Sequence, residues 1–157
     1  MSIHTARIDW ACEGDFARGR YSRAHSMTFD GDVVVPGSAS PSVVPLPWSV
    51  EAAVDPEEMF VASLSACHML WFLDLARRAG LVVETYTDKA CGVMARDAEG
   101  RDWIAAVTLR PRITLTSGDA GKAEAVHHAA HAACFIANSV RTDVKVEPTT
   151  TVRAPAP

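Results

Sequence analysis

The chain has 157 residues, of which 48% are hydrophobic and 22% charged, and its formal net charge is −4. This composition is typical of one soluble globular domain, 1–157, and it gives no electrostatic footprint for nucleic acid or an anionic membrane. The amino terminus lacks the long apolar stretch of a signal peptide, so we expect a cytoplasmic protein.

The first third of the chain predicts short strands followed by a loop. Residues 5–11 and 20–29 alternate in polarity, and residues 32–35 can pair back across the Asp30-Gly31 turn as a hairpin. Residues 36–50 contain four prolines and several serines, which indicates an ordered or semi-ordered loop within the domain. A long loop in a compact chain is often functional.

A first helix is predicted from Asp55 to about Ala79. Asp55 can act as the N-cap, Pro56 suits the first helical position, and Glu58 completes a pair that resembles a capping box. Gly80 then follows as the terminator.

The middle of this helix, Met59 to Leu73, is apolar nearly all the way round. Its 15 residues fall short of the roughly 20 that span a bilayer. A helix of this kind is buried on every side. Because a short chain offers little material to surround it, we predict an obligate homodimer.

The rest of the chain predicts a long hairpin, a second helix and a last edge strand, at residues 82–97 with 101–116, 119–137 and 143–153. Asp119 can cap the second helix and Asn138 can end it, and an Ala-Pro-Ala-Pro tail closes the chain. Strand blocks and helix blocks are segregated, so the predicted fold class is α+β with antiparallel sheets.

Two of the four cysteines, Cys67 and Cys134, lie on predicted helices among small residues and are 67 positions apart. In a cytosolic chain such a thiol pair suggests redox chemistry or metal binding rather than a structural disulfide. The two sulfurs can form a disulfide if their Cα atoms approach to about 4.4–6.8 Å. A thiolate that attacks an O–O bond becomes a sulfenic acid, which the second thiol captures as a disulfide. Cys12 and Cys91 lie on predicted strands and are expected only to pack.

Thiolate chemistry needs a cation that lowers the thiol pKa from about 8.5, and arginine suits a peroxide because it keeps its charge and donates hydrogen bonds. Arg18, Arg20 and Arg23 are the candidates, and a solvated strand edge is the alternative for each. A carboxylate could fix the guanidinium through a bidentate pair. Glu57 and Glu58 are the candidates, and the capping role of Glu58 leaves Glu57 freer.

Helix geometry limits how Glu57 and Cys67 can contribute to the same site. Glu57 precedes Cys67 by ten residues, which is about 15 Å along a straight helix. The two can serve one site only if the helix breaks, if an extended arginine bridges the gap, or if a second subunit contributes.

Three histidines on the second predicted helix raise the alternative of a metal centre. His128, His131 and Cys134 are spaced by three residues and, with a ligand from the first helix, could contact a zinc ion. Three consecutive turns span about 9 Å of helix axis, which is too long for one tetrahedral centre. We therefore predict no metal site, and we expect His127 and His128 to be partly exposed and hydrogen-bonded. The chain contains no nucleotide-binding motif, so no cofactor is predicted.

Three segments resemble the OsmC/Ohr family of thiol peroxidases, and the resemblance covers nearly the whole chain. The segment Asp55-Pro-Glu-Glu-Met-Phe-Val-Ala-Ser-Leu-Ser-Ala-Cys67 is similar to the family's N-P-E-E/Q-L-x-x-A-x-x-A-C. The others are the helix ending at Cys134 and the opening Trp10…Glu13-Gly-Asp-Phe-Ala-Arg-Gly-Arg20. The second cysteine departs from the pattern, because Phe135 follows it where the family usually has proline, and a histidine follows the first cysteine. The chain therefore resembles a divergent subgroup.

The resemblance implies an intertwined homodimer with central helices wrapped by two antiparallel sheets. It also implies reduction of organic hydroperoxides, with Cys67 as the peroxidatic and Cys134 as the resolving cysteine, and recycling by an external dithiol, which is lipoyl-type in the family. Glu57 would hold the catalytic arginine. Spacing to the Asp30-Gly31 turn favours Arg23, whereas ungapped matching from Gly14-Asp15 favours Arg18; we assign Arg23.

The sequence thus predicts a dimeric, cofactor-free cysteine peroxidase. The alternative is a redox-sensing or small-ligand-binding protein that uses the same fold without turnover.

Overall fold

The computed structural model describes residues 2–153, in which the chain divides after Met59 into two compact units. The single domain spanning 1–157 stays a prediction. The Ala-Pro-Ala-Pro tail, residues 154–157, lies outside the described residues.

The first unit contains five short strands: β1 Ala6–Asp9, β2 Gly14–Asp15, β3 Arg20–Tyr21, β4 His25–Phe29 and β5 Val34–Gly37. β1 and β5 flank β4 in an antiparallel sheet, and β2 pairs with β3. A 3-10 turn, Asp30–Asp32, joins β4 to β5, and Gly31 takes a φ of 79° that favours glycine. The hairpin predicted across Asp30-Gly31 is confirmed.

The proline-rich segment after β5 is an ordered loop. Ser38 is fully buried, and its hydroxyl accepts the Val50 N–H at 3.0 Å. Main-chain hydrogen bonds join Ser38 to Val54 and Val54 to Pro36. These contacts fold the loop back on itself, as its composition predicts.

The first helix, α1 Pro56–Arg78, begins and ends close to its predicted bounds. The Glu58 N–H donates to Asp55 Oδ1 at 2.7 Å, and Glu58 Oε2 accepts the Asp55 N–H at 3.1 Å. This reciprocal pair satisfies two of the N–H groups that a helix start leaves free. The predicted capping box is confirmed.

One face of α1 is buried in a stripe with four-residue spacing: Leu64, His68, Phe72 and Ala76. By length and composition, α1 is the one helix within residues 2–153 that could cross a membrane, yet only 22% of its apolar window is buried. Core helices of soluble proteins pass the same test, so this is weak evidence for a span. Most of the other α1 residues are partly buried, and Ala62, Ala66 and Leu70 are exposed.

The second unit continues with four strands, a helix and two further strands: β6 Val82–Asp88, β7 Cys91–Arg96, β8 Asp102–Leu109, β9 Pro111–Ser117, α2 Ala120–Ala133, β10 Asp143–Val146 and β11 Thr149–Val152. β7 pairs with β8 and β6 with β9, all antiparallel. The predicted hairpin is confirmed, but each arm divides between two sheets.

The prediction that the sheets are antiparallel is wrong for the carboxyl-terminal strands. β10 runs parallel to β8, and β11 runs parallel to β9. Parallel pairing needs a crossover of a dozen or more residues, and the segment with α2 between β9 and β10 supplies it. The predicted last strand is two strands, and both sheets are mixed. The fold class, α+β, is confirmed.

α2 ends earlier than Ala137, contrary to prediction. Asp119 caps it as predicted, accepting the Gly121 N–H at 2.8 Å. At the other end Cys134 takes extended angles and is the C-cap, with its N–H donating to the His131 carbonyl at 3.2 Å. A separate 3-10 turn, Ala137–Ser139, follows.

Candidate functional site

The structure places the Cys67 and Cys134 side chains close enough to interact within the second unit. Cys67 lies on α1 and Cys134 at the end of α2, so sulfurs remote in sequence meet. Both are free thiols. Proximity of the two thiols is one condition for a reversible disulfide.

The environments of the two thiols differ. Cys134 is 1% exposed, and its sulfur accepts the Ala137 N–H at 3.4 Å. Burial, and next the contact with Cys67, raises the pKa of Cys134 to about 11. Cys67 is only partly buried. Near neutral pH the buried thiol therefore keeps its proton.

Cys67 opens into a mainly apolar groove of about 520 Å³, lined by Ser63, Cys67, Leu70, Trp71, Asp74, Phe135 and Ile136. Trp71 and Phe135 meet edge to face, with ring centroids 5.3 Å apart and planes at 86°. A groove of this volume accommodates a small organic molecule. The thiol thus faces a space that suits an apolar ligand.

A buried pair of histidines lies beside the cysteines. His68 of α1 and His127 of α2 are 0% and 2% exposed, and His68 Nε2 lies 3.0 Å from His127 Nδ1. Their rings are nearly parallel, with planes at 5°, and Phe72 stacks on His127 at 4.1 Å. Burial lowers the pKa of both histidines to about 4, so both are neutral at pH 7.

The prediction of a partly exposed His127 is wrong. Its ring is buried, and its Nε2 has no partner among the described residues. The signal that could have revealed this is the stripe of Ala123, Val126 and Ala130, which shares the core-facing side of α2 with His127. His128, by contrast, is exposed as expected.

Histidine side chains also line a smaller cavity of about 140 Å³, together with Glu124, Val146 and Pro148. Its histidines are His127, His128 and His131. Within residues 2–153, no three His, Cys, Asp or Glu side chains are placed to hold one metal ion. The arrangement weighed from sequence, with His128, His131 and Cys134 on one ion, is therefore not seen.

The three candidate arginines lie in the first unit. Arg18 is exposed and pairs with Asp15 at 3.6 Å, and Arg20 is exposed on β3. Arg23 is partly buried, and its Nη1 donates to the Tyr21 carbonyl at 2.5 Å while its guanidinium stacks on the Tyr21 ring. Arg23 also lines a cavity of the first unit, about 380 Å³ in volume.

Glu57 is partly buried in the first turn of α1. It forms no ion pair with Arg23 within the part of the chain that the structure describes. The helix runs unbroken from Pro56 to Arg78, which excludes the break considered from sequence. The roles of Arg23 and Glu57 stay predictions.

The sequence matches the family model of OsmC-like proteins over residues 49–149, most of the chain. The chain belongs to the OsmC-like family. An OsmC-like protein of unknown function from Vibrio cholerae is 45% identical, with a TM-score of 0.91 over 95% of this chain and 100% of that one. None of the curated proteins matches significantly.

This OsmC-like chain also shares its fold with more distant structures. An organic hydroperoxide resistance protein OsmC from Legionella pneumophila is 18% identical, with a TM-score of 0.64 over 97% of this chain and 98% of that one. The organic hydroperoxide resistance protein OhrB of Bacillus subtilis is 19% identical, with a TM-score of 0.61 over 94% of this chain and 98% of that one. At these identities the likeness concerns the fold.

Proposed function

We propose that this OsmC-like protein is a cysteine-based peroxidase that reduces organic hydroperoxides at the expense of a dithiol. The proximity of Cys67, which lines an apolar groove, to the buried Cys134 carries the proposal. The Legionella pneumophila and Bacillus subtilis proteins, whose names state organic hydroperoxide resistance, add support through the shared fold.

In the first step, Cys67 is the nucleophile because its thiol is the more accessible one. Its thiolate attacks the terminal oxygen of the hydroperoxide, so that an S–O bond forms and the O–O bond breaks. The alkoxide leaves and takes up a proton to give an alcohol. Cys67 is oxidised to a sulfenic acid and the peroxide is reduced.

In the second step, Cys134 attacks the sulfur of the Cys67 sulfenic acid. An S–S bond forms, the S–OH bond breaks, and the hydroxide leaves as water with the Cys134 proton. The raised pKa of Cys134 suits this order, because a protonated thiol does not compete for peroxide. An external dithiol, lipoyl-type in related proteins, then reduces the disulfide by exchange and is itself oxidised.

Arg23 is our candidate for the guanidinium that favours the Cys67 thiolate, and Glu57 for the carboxylate that orients it. Arg23 is partly buried and borders a cavity, whereas Arg18 and Arg20 are solvent-exposed. A partly buried guanidinium acts more strongly on a thiolate than one screened by solvent.

We further propose a cytoplasmic homodimer. Proteins of this family are typically homodimers. The incompletely buried apolar surface of α1, with Leu70 63% exposed, supports a second copy as its cover, because exposure of apolar surface to water is unfavourable.

The test is consumption of tert-butyl or cumene hydroperoxide in the presence of a dithiol, with wild type and the Cys67→Ser and Cys134→Ser variants. We expect no turnover for Cys67→Ser. For Cys134→Ser we expect loss of cycling and over-oxidation of Cys67, read by mass spectrometry, because the sulfenic acid has no partner.

A Cys12→Ser/Cys91→Ser variant is the matched control, since both thiols are exposed and neither is among the residues that line the groove, and it should keep full activity. Turnover in Cys67→Ser would contradict the proposal. Stoichiometric oxidation of wild type that no dithiol reverses would favour the redox-sensing alternative.

A further inference from the structure

The buried faces of α1 and α2 each contain a single polar residue. In α1 it is His68, among Leu64, Phe72 and Ala76; in α2 it is His127, among Ala123, Val126 and Ala130. These two residues meet in a hydrogen bond of 3.0 Å. Each helix therefore has one buried hydrogen-bonding side chain, and these two side chains bond to each other.

Apolar side chains alone define the axial position of a helix weakly, because a stripe with four-residue spacing meets a similar surface after a slip of one turn. A lone buried polar pair defines it strongly, as a single buried asparagine does in coiled coils. A slip of one turn, about 5.4 Å, would leave both imidazoles buried without each other.

The same axial position decides whether the two sulfurs meet. Cys67 is the residue before His68, and Cys134 lies two turns after His127 at the end of the same helix. A disulfide forms only when the Cα atoms lie within about 7 Å. A displacement of one turn at the histidines is therefore enough to separate the thiols.

We propose that His68 and His127 are positioning residues, whose buried hydrogen bond fixes the register of α1 against α2 and so aligns Cys67 with Cys134 for disulfide formation. This role rests in part on the proposed function, which uses the disulfide, but it concerns the geometry of the pair rather than its reaction with peroxide.

The test measures the disulfide without peroxide. A background with Cys12→Ser and Cys91→Ser leaves the two thiols of interest, and equilibrium with oxidised dithiothreitol gives their effective concentration. In His68→Leu/His127→Leu, both buried polar groups are replaced together, so the fold should persist. We expect the effective concentration to fall by at least about tenfold, because ring closure is sensitive to small misplacements.

Two further variants separate register from general stability. Phe72→Leu alters packing against His127 but keeps the hydrogen bond, and its effective concentration should match the background. His68→Gln can place a donor near the position of the imidazole Nε2, and it should recover much of the loss seen with leucine. Circular dichroism and thermal unfolding show that each variant is folded.

An effective concentration in the double leucine variant within twofold of the background would overturn the positioning role, and so would a loss in Phe72→Leu as large as in that variant. If the double variant does not fold, His68→Gln against His68→Leu gives the same decision. Hydroperoxide added to the background protein tests the proposed function separately: failure there, with a normal dithiothreitol equilibrium, affects the peroxidase assignment alone.

Discussion

The two thiols of the site differ because they occupy different places on their helices. Cys67 lies within α1, where its side chain reaches the groove, whereas Cys134 closes α2 and is packed on all sides. Removing a thiol from water disfavours its charged form, which raises the pKa of Cys134. Two residues of the same type thus differ in acidity and accessibility, chiefly because one is buried.

This difference predicts a difference in alkylation. With iodoacetamide at pH 8, we expect Cys67 to react at least about tenfold faster than Cys134, because the thiolate is the reactive form and Cys134 is both protonated and buried. Peptide mapping by mass spectrometry over time measures the two rates. Cys12 and Cys91, both exposed, report the reactivity of accessible thiols in the same sample. Equal rates at Cys67 and Cys134 would contradict the assigned roles.

The sequence allowed Cys67 and Cys134 to be paired, because both lie among small residues on helices and the motif around Cys67 is specific. The burial of His127 was harder to predict, because its signal is only the weak stripe of Ala123, Val126 and Ala130. A histidine on an alanine-rich helix looks solvated until one knows which face meets the core, and that face depends on α1, which is distant in sequence. Local patterns carry little information about such contacts.

Among the elements, the start of α1 was predictable because it depends on neighbours in sequence. Asp55 and Glu58 satisfy each other's backbone within one turn. The parallel pairing of β10 and β11 was not predictable, because it follows from contacts with strands more than thirty residues earlier. Strand direction is a property of the sheet, and alternation of polarity does not encode it.

The contact between α1 and α2 predicts a dependence of stability on pH. Burial lowers the pKa of His68 to about 4, helped by the charge of His131 and opposed by that of Asp88. Burial also lowers the pKa of His127 to about 4, with smaller contributions from His68 and His128. Below pH 6.5 the unfolded chain therefore binds protons that the folded chain does not, so stability falls as the pH falls towards 4.

Each histidine contributes about 3 kcal/mol, so we expect the free energy of unfolding to decrease by on the order of 5 kcal/mol more in wild type than in His68→Leu/His127→Leu between pH 7 and pH 4. Urea unfolding at several pH values measures both proteins. The comparison removes the contribution of carboxylates, which the two proteins share. Parallel curves for the two proteins would contradict the neutral, buried state of the pair.

At the scale of the whole molecule, the exposed apolar part of α1 predicts that a charge placed there weakens the proposed homodimer. Leu70 is 63% exposed in the single chain, so glutamate at this position should not disturb the fold of the protomer. In a homodimer that covers α1, the same carboxylate would lose water without gaining a partner. We expect Leu70→Glu to raise the dissociation constant of the dimer at least about tenfold, measured by sedimentation equilibrium.

Ala98→Glu is the matched control, since it adds the same charge at the exposed turn between β7 and β8, and it should leave the dissociation constant unchanged. Two outcomes would count against a dimer built on α1: a wild-type protein that sediments as a monomer, or a Leu70→Glu protein that associates as tightly as wild type. Because Leu70 also lines the groove beside Cys67, loss of the dimer should alter the site itself. Peroxidase activity, measured over protein concentrations at which the dimer dissociates, should then follow the fraction of protein that is dimeric.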